Sequence, residues 1–300
     1  MEFNKKNIVF GCWPISGDYG IKHNKNSLIL IKKAIDLGIY EFDTAPNYGA
    51  GNSEKLLGQL DKKYKKKIII NTKIGNSPNN EKSFDVNFLK KNFEESLLRL
   101  KIKKINILFL HNPRNIKNLK EILKFLNKLK KSGIIKKSGL SLANDYKYSK
   151  VFISKFDVLQ YDFNLLCQKK YLDKFKFKKV IYKRSIFGSG TITEKFLKEK
   201  KIKFNKTDHR SKWLNNKKAN LIRYHLNKIK KITKENISLT AYTFVKKNLK
   251  KNKIILGFKT LNNLKEFLII YNENILENNF KKIKRYYNTF LIKYDIRPLV

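Results

Sequence analysis

Four side chains that exchange protons stand at or near the ends of short, β-branched apolar runs. Asp43, Lys73 and His111 each close one run, and Tyr48 follows in the loop after Asp43. Carboxylate, amine, imidazole and phenol are groups with which proteins give and take protons at a reacting oxygen. Singly, each has a simpler explanation: a turn cap, one more lysine, a loop histidine, a packed ring. Together on one rim, they predict a proton-transfer site.

The elements that must hold these residues are eight candidate strands with amphipathic helices between them. Apolar residues at helical spacing, such as Leu28, Ile31 and Ile35, separate one strand from the next. This alternation predicts a parallel sheet, and eight strands close a (β/α)8 TIM barrel. The predicted strands are Ile8–Gly11, Ile39–Asp43, Ile68–Lys73, Ile105–His111, Lys136–Leu140, Val158–Gln160, Val180–Arg184 and Ile254–Gly257.

The length of the chain fits a single barrel. The 300 residues compare with the roughly 250 that are typical of the fold, and no linker or repeat divides them. We therefore predict one α/β domain over residues 1–300. Because such barrels carry their active sites at the carboxyl ends of the strands, the same rim also gains Ser141, Gln160, Arg184 and Ser185.

Several local signals mark where the elements end. Asp85 is a plausible N-cap and Gly38 a plausible C-cap. The irregular, polar stretch 188–220 predicts a long loop with broken helix after the seventh strand, and such excursions are usually functional. A last helix around residues 280–291 is expected to pack across the outside of the barrel or to close the site.

The motifs around the four residues resemble the aldo-keto reductase family. The likeness covers most of the chain, from Gly11 to about Leu268, and is most specific in its first half. Its elements are FDTAPNYG at 42–49, SEKLLG at 53–58, TK at 72–73, LLRL at 97–100, LHNP at 110–113, SGIIK at 132–136, GLS at 139–141 and QYDFN at 160–164.

The resemblance implies a catalytic tetrad for reduction of a carbonyl by a nicotinamide cofactor. Tyr48 is expected to be the general acid, with Lys73 beside it lowering the phenol pKa. Asp43 is expected to hold Lys73 by an ion pair, since a lone buried ammonium is costly. His111 is expected to orient the substrate oxygen. The small-molecule substrate is then an aldehyde or ketone, and the same groups can oxidise an alcohol.

The resemblance also implies a cofactor site, with NADP expected and NAD as an alternative. Ser141 and Gln160 match carboxamide-binding positions, whereas Leu142 stands where an Asn is common. Arg184, before Ser185, stands where a Tyr often stacks on the nicotinamide; a guanidinium can stack, or meet an anionic substrate or the pyrophosphate. Two further stretches match phosphate-binding loops, and their residues are Gly188, Gly190, Gly257, Lys259 and Thr260. In the helix that follows the second stretch, Phe267 replaces the Asn of the family's usual Glu-Asn pair.

The substrate pocket is expected to include Trp13 and Tyr19. The loop after the first strand resembles that of reductases associated with sugar and surface-polysaccharide metabolism, so a sugar-derived or small hydroxy-aldehyde substrate is expected. Both rings could equally serve only to close the barrel.

Composition excludes some classes and leaves one question open. Cys12 and Cys167 are expected to be buried packing residues, not a disulfide framework. No secretion signal, long apolar run or zinc-binding spacing is evident, so we expect a cytoplasmic protein with no membrane partner and no metal. The formal charge of +44 could mark a nucleic-acid partner. Because the lysines are scattered, we interpret it as compositional, although it favours anionic ligands.

Three functions compete at this point. The first is a working reductase. The second is a barrel that binds the cofactor as a sensor or regulatory subunit with little turnover, which has less need of all four proton-exchanging residues. The third is a basic nucleic-acid-binding protein, which would need a basic face interleaved with aromatic residues. The oligomeric state is not predicted.

Overall fold

Eight parallel strands close into a barrel in the order β1 to β8. The computed structural model describes residues 5–20, 22–168, 172, 179–199, 203–248 and 252–291. Its strands are β1 Ile8–Gly11, β2 Glu41–Asp43, β3 Ile69–Ile74, β4 Ile105–His111, β5 Ile135–Ser141, β6 Val158–Asp162, β7 Val180–Arg184 and β8 Lys253–Gly257. The predicted TIM barrel is confirmed, and β1, β4 and β7 have their predicted bounds.

Helices cover the outside of the barrel. None of the described helices is long and apolar enough to cross a bilayer. They are α1 Asn24–Asp36, α2 Asn52–Gly58, α3 Lys62–Lys65, α4 Val86–Leu100, α5 Leu119–Lys131, α6 Lys150–Ser154, α7 Glu194–Lys198, α8 Asn216–Thr233, α9 Ile237–Lys247, α10 Leu261–Ile270 and α11 Glu277–Tyr286, followed by a π-helical turn Tyr287–Leu291.

Both predicted helix ends are confirmed. Asp85 caps α4, because its carboxylate accepts hydrogen bonds from the amides of Asn87 and Phe88. Gly38 follows α1 with a left-handed φ of 85°, which glycine adopts without strain. The second strand begins later than predicted, since Ile39 donates its amide to Ala34 at the end of α1 and not to the sheet.

The stretch after β7 is irregular, as predicted, but shorter, because α8 begins at Asn216; its residues 200–202 lie outside the described part of the chain. The last helix packs on the outside. Tyr286 Oη lies 2.7 Å from His225 Nδ1 on α8, and Phe280 packs on Phe244 of α9. The alternative that this helix closes the site is not borne out for the described residues.

Two apolar layers support the sheet. The larger core lies between strands and helices and includes Cys12. Cys167 is also a buried free cysteine. A smaller cluster fills the barrel interior and includes Val9, Phe109, Val158, Tyr182 and Ile255. Because side chains alternate along a strand, the residue two positions further along each strand also points inward, at the carboxyl rim. Those rim residues are Gly11, His111, Gln160, Arg184 and Gly257, and the same alternation adds Asp43, Lys73 and Ser141.

The SEKLLG motif at 53–58 supports this rim from outside. Glu54 is fully buried; it accepts a 2.7 Å hydrogen bond from Thr72 Oγ1 and a 2.8 Å ion pair from Arg99 Nε. A side chain at Gly58 would overlap the carbonyl of Arg99. Helix α2 is therefore clamped against α4 and β3, and it fixes the loop that carries Tyr48.

Candidate active site

The rim centres on Lys73, whose side chain is fully buried. Its ammonium donates to Asp43 Oδ2 at 2.6 Å, to the Thr44 carbonyl at 2.8 Å and to Tyr48 Oη at 3.0 Å. Three acceptors match the three protons of an ammonium group. The structure thus joins three of the four predicted catalytic residues through one charged atom, and Asp43 and Tyr48 raise the pKa of Lys73 against the opposing effect of burial.

The phenol of Tyr48 titrates differently from the sequence-based expectation. Burial raises its pKa, and Lys73 opposes this as expected but does not overcome it. The pKa of Tyr48 is therefore raised above its ordinary value, not lowered. The ring of Trp13 stacks on that of Tyr48 with 5.7 Å between centroids, and this cover could not be read from strand-end residues alone. At neutral pH the phenol keeps its proton.

His111 stands beside the phenol as a neutral imidazole. Burial, followed by the charges of Lys73 and Arg184, holds its pKa well below the ordinary value. Nδ1 lies 3.0 Å from the side-chain amide nitrogen of Asn76. Since an amide nitrogen donates, Nδ1 accepts and the ring proton is on Nε2. The Tyr48 and His111 rings meet edge to face with 6.1 Å between centroids. One O–H donor and one N–H donor therefore lie side by side.

Ser141, Gln160 and Arg184 form the other side of the rim. Gln160 bridges Asp43 and Ser141: it donates to Asp43 Oδ1 at 2.7 Å and accepts from Ser141 Oγ at 3.0 Å. The Arg184 guanidinium donates to Ser141 Oγ at 2.5 Å and forms a 2.6 Å ion pair with Asp162. The predicted carboxamide-binding residues are thus connected to the proton-exchanging residues by one hydrogen-bond network.

Asp162 organises the loops behind this network. It accepts from Ser185 Oγ at 2.9 Å and from Asn144 Nδ2 at 2.5 Å. Leu142, where an Asn is common in the family, is fully buried in the core, and its carbonyl accepts from Arg184. Asn144, two residues after Leu142, faces Asp162 with its side-chain amide.

The loops after β1 and β7 meet over the groove. Asp18 fixes the first loop, accepting from Trp13 Nε1 at 2.7 Å and from the Gly49 amide at 2.9 Å. The ring of His209 lies 4.5 Å from those of both Trp13 and Tyr19. Trp13 and Tyr19 therefore lie where the sequence predicted, on a wall that continues the stack from Tyr48.

A groove with a volume of about 1690 Å³ runs from Asp43 to α10, and its lining includes Trp13, Tyr48, His111 and Arg184. Pockets for one small ligand hold about 300–1,000 Å³, so the groove has room for a dinucleotide and a substrate together. Gly188 and Gly190 have positive φ values of 52° and 88°, and Ser185 and Ser189 share the left-handed region. The predicted glycine loop is therefore a tight turn on the groove wall.

The far end of the groove suits a phosphate. Lys259 and Thr260 line it, and Thr260 caps α10 by accepting from the Asn263 amide. A helix N-terminus favours an anion. On the opposite loop, the Arg210 guanidinium is paired with Asp208 at 2.7 Å and lies 4.9 Å from the Tyr19 ring centroid. Lys259 Nζ donates to the Tyr19 carbonyl at 2.6 Å. Gly257 leaves no room for a side chain against Pro14.

Two asparagines lie near the position where the family usually has an Asn. Phe267 is buried in the core, whereas Asn262 and Asn263 line the groove one turn earlier, and Asn262 donates to Glu266 at 2.8 Å. Together the groove size, the glycine turn and the cationic end fit a nicotinamide dinucleotide.

Sequence reasoning missed Asn76, Asp18, Asp162 and His209. Asn76 lies just beyond β3, and Asp162 ends β6, so extending the strand-end rule by two or three residues past each predicted end finds both. His209 lies in the irregular stretch after β7, outside any strand end or motif. No local signal reveals it, because its position depends on the contact between two loops distant in sequence.

The fold and the rim define a (β/α)8 oxidoreductase-type barrel with a tyrosine–lysine pair at its mouth. A model of the Aldo/keto reductase family matches residues 7–288. The chain belongs to this family of nicotinamide-linked oxidoreductases.

Individual relatives agree with this assignment. The chain is 32% identical over 140 residues to aldo-keto reductase YhdN of Bacillus subtilis, covering 45% of this chain and 42% of that protein. It is 30% identical over 143 residues to 6-dehydroglucose reductase of Novosphingobium aromaticivorans, covering 45% and 46%. The alignments thus span less than half the length of these curated relatives.

Among solved structures, the glycerol dehydrogenase of Gluconobacter oxydans superimposes with a TM-score of 0.74 and 21% identity, over 94% of this chain and 91% of that one. At this level of identity the likeness concerns the fold.

We predict that Tyr48→Phe lowers turnover by about 10² to 10⁴-fold, the usual contribution of a general acid, while cofactor affinity changes little. Carbonyl-dependent NADPH consumption and quenching of tryptophan fluorescence measure the two effects. Tyr19→Phe is the matched control, since it removes another phenol from the same groove and should lower turnover far less. Equal turnover in the Tyr48 variant and the unaltered protein would refute the assignment.

Proposed function

We propose that this protein reduces an aldehyde or ketone to an alcohol with NADPH. The observation that carries the proposal is the hydrogen bond from the buried Lys73 ammonium to Tyr48 Oη, at the mouth of a dinucleotide-sized groove. A barrel that only sensed a cofactor would need no such pair, so the regulatory alternative is not favoured.

In this mechanism the substrate oxygen lies between Tyr48 Oη and His111 Nε2. The nicotinamide, when bound, supplies the hydride. As negative charge develops on the substrate oxygen, Tyr48 transfers its proton and His111 donates a hydrogen bond, which stabilises that charge. Lys73 stabilises the phenolate that Tyr48 leaves behind, and Asp43 keeps Lys73 charged.

The pKa values favour the direction of reduction. A raised Tyr48 pKa keeps the phenol protonated at neutral pH, so the acid that reduction needs is present. Oxidation of an alcohol needs the phenolate, which forms only as the pH rises towards that pKa. A neutral His111, whose pKa is lowered, remains a hydrogen-bond donor through Nε2 over the same range.

We infer a preference for NADPH from the cationic end of the groove. Lys259 is exposed beside the α10 N-terminus, and its contact with the Tyr19 carbonyl is with a neutral acceptor that a phosphate can replace. A charged hydrogen bond of this kind contributes about 1.5–3 kcal/mol.

Lys259→Ala should therefore weaken NADPH binding by about tenfold or more and NADH binding much less. Fluorescence titration with each nucleotide measures both. Lys265→Ala, on α10 but outside the groove lining, is the control and should leave both affinities unchanged. If Lys259→Ala weakens the two nucleotides equally, Lys259 does not bind the 2′-phosphate.

We further propose that the substrate is a hydroxylated, sugar-derived carbonyl. The wall formed by Trp13, Tyr19 and His209 combines ring faces with one free acceptor. His209 Nδ1 lies 3.0 Å from the Asp18 carbonyl, so Nδ1 carries the proton and Nε2 has a lone pair. Among the described residues nothing bonds to this buried nitrogen, which suits a substrate hydroxyl. A relative named 6-dehydroglucose reductase supports the same class of substrate.

His209→Phe keeps the ring but removes the acceptor, so it should lower kcat/KM for hydroxylated aldehydes by about tenfold and leave simple aldehydes of equal length nearly unaffected. A paired panel of the two aldehyde types, followed by NADPH consumption, measures this. A parallel loss for both types, or no loss for either, would exclude His209 as the residue that recognises a hydroxyl.

A further inference from the structure

The Arg184 guanidinium uses almost all of its N–H groups in hydrogen bonds to the rim. Nε donates to Asp162 Oδ1 at 2.6 Å, Nη1 to Ser141 Oγ at 2.5 Å and to Gln160 Oε1 at 3.3 Å, and Nη2 to the Leu142 carbonyl at 2.9 Å. These contacts account for four of the five N–H groups of a guanidinium. The N–H groups around the edge of the guanidinium plane are thus bonded to barrel residues.

A guanidinium fixed in this way cannot reach out to bind a phosphate or a substrate carboxylate. Its side chain is 16% exposed and it lines the groove, so what it offers a ligand is a planar face and a positive charge. Of the roles open to it from sequence, only that of a platform agrees with these contacts.

The platform lies at the reacting end of the groove. Arg184 shares the inward layer with Gln160 and Gly257 on the adjoining strands, and that layer also holds Lys73 and His111. A hydride donor must contact the carbon whose oxygen lies at Tyr48 and His111. A nicotinamide ring that delivers hydride to this carbon would occupy the rim, and Arg184 would form part of its floor.

The charge of Arg184 is only partly cancelled there. Its partner Asp162 is 2% exposed and also accepts from Ser185 at Oδ1 and from Asn144 at Oδ2, so the carboxylate charge is shared among three donors. Asp162 bonds to Nε, whereas the two Nη groups extend to Ser141 and Leu142. The positive end of the pair is thus directed along the rim.

We propose that Arg184 makes this site select the redox state of its nicotinamide, favouring the reduced form. The oxidised ring carries a positive charge and the reduced ring is neutral, so a fixed cation in the floor raises the free energy of the oxidised complex alone. Weak binding of the oxidised form then promotes its release after each reduction. This inference rests on the proposed function, because it requires the nicotinamide to bind at this rim.

The test is the ratio of the dissociation constants of NADP⁺ and NADPH, measured by titration without substrate. Arg184→Leu combined with Asp162→Asn removes both charges and avoids a buried unpaired carboxylate. This double variant should lower the ratio by about tenfold. Arg184→Lys should keep much of it, and Asp162→Asn alone, which leaves the guanidinium unneutralised, should raise it.

Lys259→Ala serves as the control, since it acts at the far end of the groove and should weaken both redox forms equally. The opposite shifts in the Asp162 and double variants keep the test valid even if one variant folds poorly. A ratio unchanged in both variants, with nucleotides still bound, overturns the inference and leaves the proposed function standing. Failure of the unaltered protein to bind either nucleotide overturns both.

Discussion

The candidate active site depends on one buried charge, the ammonium of Lys73. An isolated ammonium inside a protein costs several kcal/mol, so its three acceptors must be present and correctly placed. Asp43 on the neighbouring strand supplies the compensating charge, and Thr44 and Tyr48 supply the remaining acceptors. This requirement fixes the course of the chain after β2, and the clamp between Glu54 and Arg99 holds the same loop from outside. The position of the Tyr48 phenol therefore follows from the need of the Lys73 ammonium for hydrogen-bond acceptors.

A second constraint is the two-residue period of the strands. In a closed barrel, alternate side chains fill the interior, and the last inward position of each strand lies at the carboxyl rim. Apolar residues such as Phe109 and Tyr182 occupy the interior, and polar ones such as His111 and Arg184 follow two positions later. On the opposite side of the rim Gly11 and Gly257 occupy the equivalent positions. Six of the eight rim positions therefore carry polar side chains, and the two on the adjacent strands β8 and β1 are glycines without side chains.

This regularity explains how much of the protein could be predicted. Strand positions and the residues that end them, including Asp43, Lys73, His111 and Gln160, follow from local pattern. Residues set by contacts between distant loops do not: His209 reaches Trp13 only because the loops after β1 and β7 meet. The predicted lowering of the Tyr48 pKa is likewise wrong, because the net shift depends on how completely Trp13 and the surrounding loops exclude water. Residue types indicate which charges are present, whereas desolvation depends on the packing.

The most direct test of the account is the pH dependence of carbonyl reduction in Lys73→Met. Lys73 lowers the Tyr48 pKa, whereas burial and Asp43 raise it, so removing the ammonium should raise that pKa further. Reduction needs the protonated phenol and falls as the pH passes its pKa. The alkaline limb of the kcat/KM profile should therefore move to higher pH, by about 1–3 units for the loss of an adjacent charge, with a lower maximum. A limb that stays in place, or moves to lower pH, would contradict the claim that Lys73 sets the acidity of Tyr48.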